Sequence, residues 1–339
     1  MAIVTTSTKP VAADLPRWPE VVRTAIRDAD GLCDYLRLPP EYRESARHAA
    51  RQFPVFAPLP FVARMRIGDP HDPLLRQVLP VAAELDEVAG FTADPVGDRA
   101  ATLAPGMLQK YSSRALLITT GACAVHCRYC FRRQYPYGES PHGLEQWRPA
   151  LAHLAAAPDI EEVILSGGDP LMIADNQLLA LVARLAAIPH LRRLRLHTRL
   201  PVMIPQRITA ELAAGLRQTR LTTWFVLHAN HPQEFDAAVD AALTRLVDAG
   251  IPLLNQSVLL KGVNDAVATL VNLSRHLVEL RVTPYYLHQL DHVAGAAHFA
   301  VSDQAGQEII EQMRRQLPGY AVPRLVRESA GTPYKTLLA

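Results

Sequence analysis

Residues 114–137, RALLITTGACAVHCRYCFRRQYPY, contain three of the four cysteines of the chain. Cys123, Cys127 and Cys130 form a C-x3-C-x2-C pattern directly after an apolar run that has the length of a buried strand. In a reducing compartment, clustered cysteines are more often metal ligands than disulfide partners. The stretch therefore predicts a metal-binding loop at the end of a strand.

The spacing of these cysteines leaves three alternatives open. Three thiolates can hold three irons of a [4Fe–4S] cluster and leave the fourth iron free to bind the amine and carboxylate of a small molecule. Zinc is the competing metal, with His126 or a remote residue as fourth ligand, although structural zinc sites usually come as two separated pairs of ligands. The third alternative is three core cysteines without a metal.

Length and composition describe an ordinary globular protein. The 339 residues suffice for one barrel-sized domain with an appendage or for two domains. A net charge of +2 argues against nucleic acid as a partner, because nucleic-acid-binding proteins usually carry a clearly basic surface. Residues 1–10 lack the features of a signal peptide, and no apolar run approaches a membrane span. We therefore expect a cytoplasmic protein that does not bind membranes.

Residues 1–105 predict a mainly helical N-terminal domain. Residues 19–36 and 40–53 have the apolar spacing of short amphipathic helices. Residues 72–88 predict another helix, in which Asp72 and Pro73 are a plausible cap and first position. Cys33 is isolated in this region, so we expect a buried core cysteine rather than a ligand.

Short apolar runs alternate with longer amphipathic segments after this region. Strands are predicted over residues 115–120, 162–165, 193–197, 222–227, 253–259 and 283–288. Helices are predicted over residues 146–157, 176–188, 210–217, 234–249 and 266–280. Serial alternation indicates a parallel sheet covered by helices, and a closed barrel would need eight strands. We predict an α/β fold with a partial (βα)6 barrel over residues 106–290 and a short C-terminal segment over 291–339. A doubly wound open sheet is the alternative.

Polar residues occur at or near the carboxyl end of each predicted strand. These ends meet on one face of a parallel sheet or barrel, so the polar residues are expected to line one site. They are residues 121–130, 166–170, 197–199, 228–231, 255–257 and 288–291.

The cysteine spacing, with Tyr129 before the last cysteine, resembles the signature of radical S-adenosylmethionine (SAM) enzymes. The resemblance implies that a [4Fe–4S] cluster binds SAM through its open iron and cleaves it to a 5′-deoxyadenosyl radical. The residues that the resemblance places at SAM are Ser166, Gly167, Gly168, Asp169 and His228. A Gly-Gly-Asp sequence alone is more often a turn.

Longer segments are similar to lysine 2,3-aminomutases, namely residues 68–80, 91–98, 105–137, 166–172, 253–265 and 283–299. The similarity spans residue 50 to the C-terminus. It implies a pyridoxal-phosphate-dependent isomerase that moves the α-amino group of lysine from C2 to C3. The chain most resembles the short members that make (R)-β-lysine for elongation factor P. This branch implies a functional link to that factor and its lysyl ligase, and an electron donor such as flavodoxin or ferredoxin. The sequence leaves the oligomeric state open, a homo-oligomer included.

The resemblance places Lys335 where the family has the lysine that holds pyridoxal phosphate covalently. The chain has only four lysines, so a primary amine for this chemistry has few positions: Lys9, Lys110, Lys261 and Lys335. Without the resemblance, Lys335 could equally be a solvated residue of the chain end. Residues 330–334 replace the glycine-rich run that precedes the lysine in clostridial members.

The remaining site residues also follow from the resemblance. Around the coenzyme it implies Lys110, which replaces an arginine, together with Tyr111, Arg114 and Gln256. For the substrate it implies Arg132 at the carboxylate, and Asp291 and Glu328 at the ε-ammonium, with Glu328 replacing an aspartate. Taken singly, each charge could be an exposed surface residue.

Two further functions compete with this interpretation. One is another radical aminomutase, acting on glutamate or on lysine for a secondary metabolite; the paired carboxylates would repel an acidic side chain. The other is a zinc-stabilised binding protein, which would be colourless and free of iron.

Overall fold

The computed structural model describes residues 16–141 and 143–339. Its centre is one ten-stranded sheet in which the strands lie side by side in chain order. Three strands at one edge are antiparallel: β1 Thr102–Ala104, β2 Met107–Tyr111 and β3 Arg114–Ile118. From β3 onward the neighbouring strands are parallel: β4 Glu162–Ser166, β5 Arg193–Thr198, β6 Thr222–His228, β7 Leu253–Val258, β8 Val282–His288 and β9 Arg324–Arg327. The last strand, β10 Thr336–Leu337, is antiparallel to β9.

This strand order distinguishes the two predicted architectures. A doubly wound sheet reverses its strand order part way across, whereas here every strand neighbours its predecessor. Within the described residues, β1 and β10 each pair with one neighbour only, so the sheet has two edges and does not close. The partial α/β barrel is confirmed, with all six predicted strands present to within two residues. A seventh parallel strand, β9, and the antiparallel strands β1, β2 and β10 were not predicted.

Helices connect the parallel strands. The five predicted ones are α5 Arg148–Ala156, α6 Asp175–Ala186, α8 Ala210–Arg217, α9 Ala237–Asp248 and α10 Val267–Glu279, and a further helix, α11 Asp303–Arg314, precedes β9. The sequence missed α11 and the single-turn helix α7 Leu200–Met203. The helix α9 illustrates why these segments are helical. Asp236 accepts hydrogen bonds from the first-turn amides at 3.0 and 2.9 Å, and apolar residues at three- and four-residue spacing face the core.

The N-terminal region is helical in its first part only, with α1 Trp18–Arg23, α2 Ala29–Leu36, α3 Glu41–Ala50 and α4 Leu59–Val62. The helix predicted over residues 19–36 is interrupted where Ile26 pairs with Ala57 in an isolated β-bridge. The helix predicted over residues 72–88 is wrong. Two single 3₁₀ turns replace it, at Leu75–Gln77 and Ala82–Leu85, because Pro80 has no amide hydrogen to continue a helix.

The core is continuous between the N-terminal helices and the barrel, since Leu32, Phe61, Leu117 and Leu325 belong to one cluster of buried apolar residues. The domain boundaries at residues 105 and 290 therefore stay a prediction. Cys33 is 1% exposed in this core, as expected for a structural cysteine. In the described part of the chain, no helix has both the length and the apolar character needed to cross a membrane.

Candidate active site

A cavity of about 1030 Å³ occupies the barrel interior. It extends from residues at the starts of strands, such as Arg114 and Glu162, to the loops at their carboxyl ends. Every site residue predicted from the sequence lines it: Lys110, Tyr111, Arg114, Cys123, Cys127, Cys130, Arg132, Ser166, Gly167, Gly168, Asp169, His228, Gln256, Asp291, Glu328 and Lys335. The fold thus brings together side chains that lie up to 225 residues apart in sequence, from Lys110 to Lys335.

The three clustered cysteines lie on the loop that follows β3. Burial, reinforced by the neighbouring thiols, raises the pKa of Cys130 to about 11 and that of Cys123 well above its ordinary value. A metal binds the deprotonated sulfur, so a metal centre at this loop would release the thiol protons when it binds. The loop is therefore suited to a metal centre and poorly suited to three free thiolates.

A zinc ion at the three cysteines would need a fourth ligand, for which the sequence offers His126. Three cysteines without a fourth ligand match a [4Fe–4S] cluster that keeps one iron open. The Nδ1 atom of His126 lies 2.9 Å from the carbonyl oxygen of Pro54, and its ring stacks on Phe53 at 5.0 Å. These contacts give the imidazole a structural role of its own.

Two glycines after β4 let that loop pack against the cysteine loop. A Cβ atom on Gly168 would lie 2.6 Å from the carbonyl carbon of Ala122, and one on Gly167 would lie 2.5 Å from the carbonyl oxygen of Thr120. Gly167 also has a φ of +126°, a backbone conformation that residues with a side chain rarely adopt. The amide of Gly168 donates to the Thr120 carbonyl at 2.7 Å, so the two loops are joined directly.

Asp169 connects the ends of β4 and β5. Its carboxylate accepts hydrogen bonds from Thr198 Oγ1 at 2.7 Å and from the amides of Arg199, Leu200 and Leu171 at 2.7, 3.0 and 3.0 Å. Burial raises the pKa of Asp169, and these donors oppose the rise. Both oxygens are thus engaged within the chain, which gives this residue a structural function beside its place at the cavity.

Arg132 lies in the cavity wall with one carboxylate already beside it. Its Nε donates to Asp98 Oδ2 at 2.6 Å and its Nη1 to Ser166 Oγ at 3.1 Å. Asp98 also pairs with Lys110 Nζ at 2.7 Å. Burial would raise the pKa of Asp98, but Arg132 and Lys110 together hold it below its usual value. Asp98 was not among the predicted site residues; its signal was its place in the family-like segment 91–98.

The hairpin of β9 and β10 fixes Lys335. Thr336 pairs with Arg327, which brings Lys335 beside Glu328, and the Lys335 ammonium forms an ion pair with the Glu328 carboxylate. Glu328 also accepts a hydrogen bond from the Tyr111 hydroxyl at 3.0 Å. Burial opposes ionisation of Glu328, yet Lys335 and the other donors lower its pKa. The Lys335 side chain is only 25% exposed, so it is not a solvated residue of the chain end.

Asp291 faces the same space without a partner of its own. Burial raises its pKa to about 7, while the nearby charges of Lys335 and Lys110 oppose the rise. Its carboxylate forms no hydrogen bond or ion pair with the described residues. A carboxylate that lines a cavity and has no protein partner is suited to bind an ammonium group of a ligand.

The two cationic side chains expected at the coenzyme, Lys110 and Arg114, differ in how strongly protein partners hold them. Lys110 is held by Asp98 and by the carbonyl of Val96 at 2.8 Å, so a ligand would have to compete for it. The guanidinium of Arg114 lies over the Tyr111 ring at 4.2 Å and lines the cavity. Lumen residues that the sequence analysis did not assign are Arg195, Tyr285 and Tyr286. The signal for Arg195 was the two-residue alternation along β5, whereas an irregularity in the pairing of β7 and β8 brings the adjacent Tyr285 and Tyr286 to the same cavity.

Three histidines line the cavity with buried Nε2 atoms that have no hydrogen-bond partner among the described residues. They are His197, His228 and His288. Burial lowers the pKa of each, that of His228 to about 3. These imidazoles are therefore neutral, and each can donate or accept a hydrogen bond with a polar ligand.

Comparison with known proteins points to the same family as the sequence resemblance. Residues 117–273 match the family model of the radical SAM superfamily. The L-lysine 2,3-aminomutase of Haemophilus influenzae is 46% identical over 331 residues, which cover 98% of both chains. The L-lysine 2,3-aminomutase of Escherichia coli K12 is 44% identical over 339 residues, 100% of this chain and 98% of the relative. That of Clostridium subterminale is 36% identical over 96% of this chain and 78% of the relative.

Proposed function

Because this chain belongs to the lysine 2,3-aminomutase family of the radical SAM superfamily, we propose that it converts L-lysine to (R)-β-lysine for modification of elongation factor P. Membership makes the chain an isomerase and implies a [4Fe–4S] cluster and SAM. The product configuration, pyridoxal phosphate and the link to elongation factor P belong to the proposal. One observation carries it: a single cavity holds the cysteine triplet, a shielded lysine, an arginine and two carboxylates.

The cofactors would be distributed over the cavity by the residues already described. Cys123, Cys127 and Cys130 would hold the cluster, and the loop of Gly167 and Gly168 would lie beside SAM. Lys335 would hold pyridoxal phosphate, with Arg114 near its phosphate. The cluster and SAM supply a radical that removes hydrogen from the substrate, and the coenzyme ring spreads the unpaired electron.

The protein would recognise lysine by charge at both ends of the molecule. Arg132 offers a guanidinium to the carboxylate, and Asp291 and Glu328 offer negative charge to the ε-ammonium. With Lys335 bound to the coenzyme, Glu328 would be free of its present ion pair. The same carboxylates disfavour glutamate, because its side chain would bring a third negative charge into a buried space.

The enclosure of the cavity contributes to the reaction. Arg132 is 8% exposed and Ser166 is 9% exposed, so water has little access to the carboxylate end of the substrate. Exclusion of water strengthens the ion pairs that position lysine and protects a radical from side reactions.

The biological assignment rests on resemblance to the short family members. We place the enzyme in the cytosol, where elongation factor P and its lysyl ligase act, with flavodoxin or ferredoxin as electron donor. The reducing environment of the cytosol keeps thiols available as cluster ligands. A homo-oligomer is compatible with this proposal but not required by it.

The first experiment tests the reaction and its product. Anaerobically purified, iron-reconstituted enzyme is reduced and incubated with lysine, SAM and pyridoxal phosphate, and the configuration of β-lysine is determined by chiral chromatography. The proposal expects brown protein and the R product. Colourless, iron-free protein would support the zinc-stabilised binding protein. The S product, or turnover of glutamate in preference to lysine, would support another radical aminomutase.

The second experiment tests Lys335. Lys335→Ala should lose the visible absorbance of lysine-bound pyridoxal phosphate. The control Lys261→Ala changes an exposed lysine outside the cavity and should keep this absorbance. Absorbance that survives in Lys335→Ala would refute the assignment.

A third experiment addresses elongation factor P. Turnover of free lysine is compared with turnover of lysine attached to the factor, and the β-lysine formed is offered to the lysyl ligase. Failure of the ligase to use the product would contradict the biological assignment and leave the aminomutase reaction standing.

A further inference from the structure

We propose that Arg199 is a positioning residue that fixes the Cys127 thiolate and raises the reduction potential of the cluster. The inference rests on the proposed function, because it requires Cys127 to be a cluster ligand. Arg199 lies outside the cysteine motif, and it would favour the reduced state of the cluster, from which SAM cleavage starts.

The guanidinium of Arg199 touches the cysteine loop directly. Its Nη1 lies 2.7 Å from Cys127 Sγ and 2.7 Å from the hydroxyl oxygen of Tyr129. Tyr129 is also the aromatic residue before Cys130 in the motif. The Arg199 side chain is 7% exposed, so solvent screens this charge only weakly.

The other side of the guanidinium is fixed by buried acceptors. Its Nη2 donates to Gln77 Oε1 at 2.6 Å and to Glu234 Oε2 at 3.0 Å. Glu234 is fully buried and accepts from the Asn230 amide at 2.9 Å. Asn230 in turn donates to the Tyr129 hydroxyl at 2.6 Å, which closes the network around Arg199. The charge is therefore held in one place.

The backbone of Arg199 is fixed as well. Its amide donates to Asp169 at 2.7 Å, and the neighbouring amide of Leu200 donates to the same carboxylate at 3.0 Å. The SGGD loop, which packs against the cysteine loop, therefore also sets the position from which Arg199 reaches Cys127. Fixed hydrogen bonds to ligand atoms are how outer residues orient and tune metal centres.

The sign of the effect follows from charge. Reduction adds an electron to the cluster, so a fixed positive charge and a hydrogen bond at a ligand sulfur favour the reduced form. Glu234 has the opposite charge, but it contacts Nη2, whereas Cys127 contacts Nη1. We therefore expect Arg199 to dominate the local field, with Glu234 opposing it more weakly.

A purely structural ion pair between Arg199 and Glu234 is the competing explanation. Loss of either partner would then lower the stability of the protein and leave the potential of a fully loaded cluster unchanged. The two explanations differ in a quantity that can be measured directly, the midpoint potential.

The experiment is a redox titration of reconstituted full-length protein, followed by electron paramagnetic resonance in the absence of SAM. Arg199→Gln should lower the equilibrium constant for reduction about tenfold, which is 59 mV for a one-electron couple. Glu234→Gln should raise the potential by a smaller amount. Arg199→Lys keeps the charge and should recover most of the loss.

Arg207→Gln is the matched control. Arg207 is likewise a buried arginine. It donates to the carbonyls of Leu171 and Ile173 and pairs with Asp175, and none of these bonds involves a cysteine. This variant should lose stability and keep the wild-type potential. Iron content is measured for every variant, so that potentials are compared only between loaded proteins.

Each outcome of the titration either supports or overturns the inference about Arg199. Wild-type protein that binds no iron would overturn both the proposed function and the inference, because Cys127 would then not be a cluster ligand. Loaded Arg199→Gln with the wild-type potential would overturn the inference and leave the proposed function standing. If Arg199→Gln does not assemble a cluster, Glu234→Gln decides: a raised potential supports the inference, and an unchanged or lowered one overturns it.

Discussion

Gly168→Ala tests the contact between the SGGD loop and the cysteine loop. The added Cβ would lie 2.6 Å from the carbonyl carbon of Ala122, closer still to its oxygen, and 2.8 Å from the carbonyl carbon of Gly121. Ordinary contacts begin at 3.4 Å, so the two loops must separate by at least 0.8 Å, from 2.6 to 3.4 Å. All three neighbouring atoms belong to the backbone of the loop that leads into Cys123, so no side chain can rotate away.

The cost has two parts. Overpacking in a closed interior costs about 1–3 kcal/mol. The separation also strains two hydrogen bonds, from the Gly168 amide to Thr120 at 2.7 Å and from the Asp169 amide to Ala122 at 2.8 Å. Each such bond contributes about 1 kcal/mol, so the total loss in free energy of unfolding is roughly 3–5 kcal/mol if both bonds are lost. Displacement of Cys123 should weaken cluster binding by about tenfold or more, as for other outer-shell changes at metal sites.

The assay measures iron and sulfide per chain after reconstitution, and the thermal midpoint of the iron-free protein. Gly138→Ala is the control, because a Cβ at this exposed glycine meets no atom within 4 Å. It should match wild type in both measurements. If Gly168→Ala also binds wild-type iron and keeps its thermal midpoint, the two loops are not packed as described and the reasoning is refuted.

Three further predictions concern charges and cysteines. Only ionised Asp291 can pair with an ammonium group, and its pKa is about 7, so the KM for lysine should rise by up to about tenfold from pH 8 to pH 6. Asp291→Asn should remove most of this pH dependence of KM. An equal change of KM with pH in the variant and in the wild type would contradict the prediction. Asp98→Asn leaves Arg132 and Lys110 without their shared carboxylate and should lower the free energy of unfolding by about 3 kcal/mol in urea titrations; a loss below about 1 kcal/mol would show that the pairing is dispensable. Cys127→Ala should abolish iron binding, whereas Cys33→Ala should keep it, and equal iron in the two variants would remove Cys127 from the ligand set.

The parallel strands and their connecting helices could be predicted because their signals are local. β3 to β8 are short apolar runs bounded by polar turns, and helices such as α9 show apolar spacing over several turns. The error at residues 72–88 has two causes. Pro80 is a local signal against a continuous helix, which the apolar spacing did not take into account, and contacts outside the segment act as well. Glu84 in that segment is buried and pairs with Arg128 at 2.8 Å and Arg133 at 2.8 Å, so contacts with the cysteine loop fix its conformation. Local periodicity carries no record of such contacts.

In the candidate site, the sequence likewise identified which residues line the cavity but not which partners they contact. Sequence resemblance named Asp169 and Arg132, and both line the cavity. It did not indicate that Asp169 is engaged by four donors, or that Arg132 already has Asp98 as a partner. These pairings depend on how β4, β5 and the segment before β1 come together, which only the folded chain determines.

The strands that the sequence pattern missed carry the residues expected at the coenzyme. β2 is antiparallel to β3, and its last residue, Tyr111, pairs with Arg114, so this hairpin sets two of those residues side by side. At the other edge, the hairpin of β9 and β10 places Lys335 against Glu328. The hydroxyl of Tyr111 donates to Glu328 at 3.0 Å, which joins the two hairpins across the unclosed side of the barrel. Six central strands would therefore be enough to position the cysteine loop, whereas the proposed attachment of a coenzyme at Lys335 would also require the two edge hairpins. β1, β9 and β10 are only two to four residues long, which is too brief for an apolar pattern, and the five-residue β2 contains the polar pair Gln109 and Lys110. Their pairing partners define these strands instead.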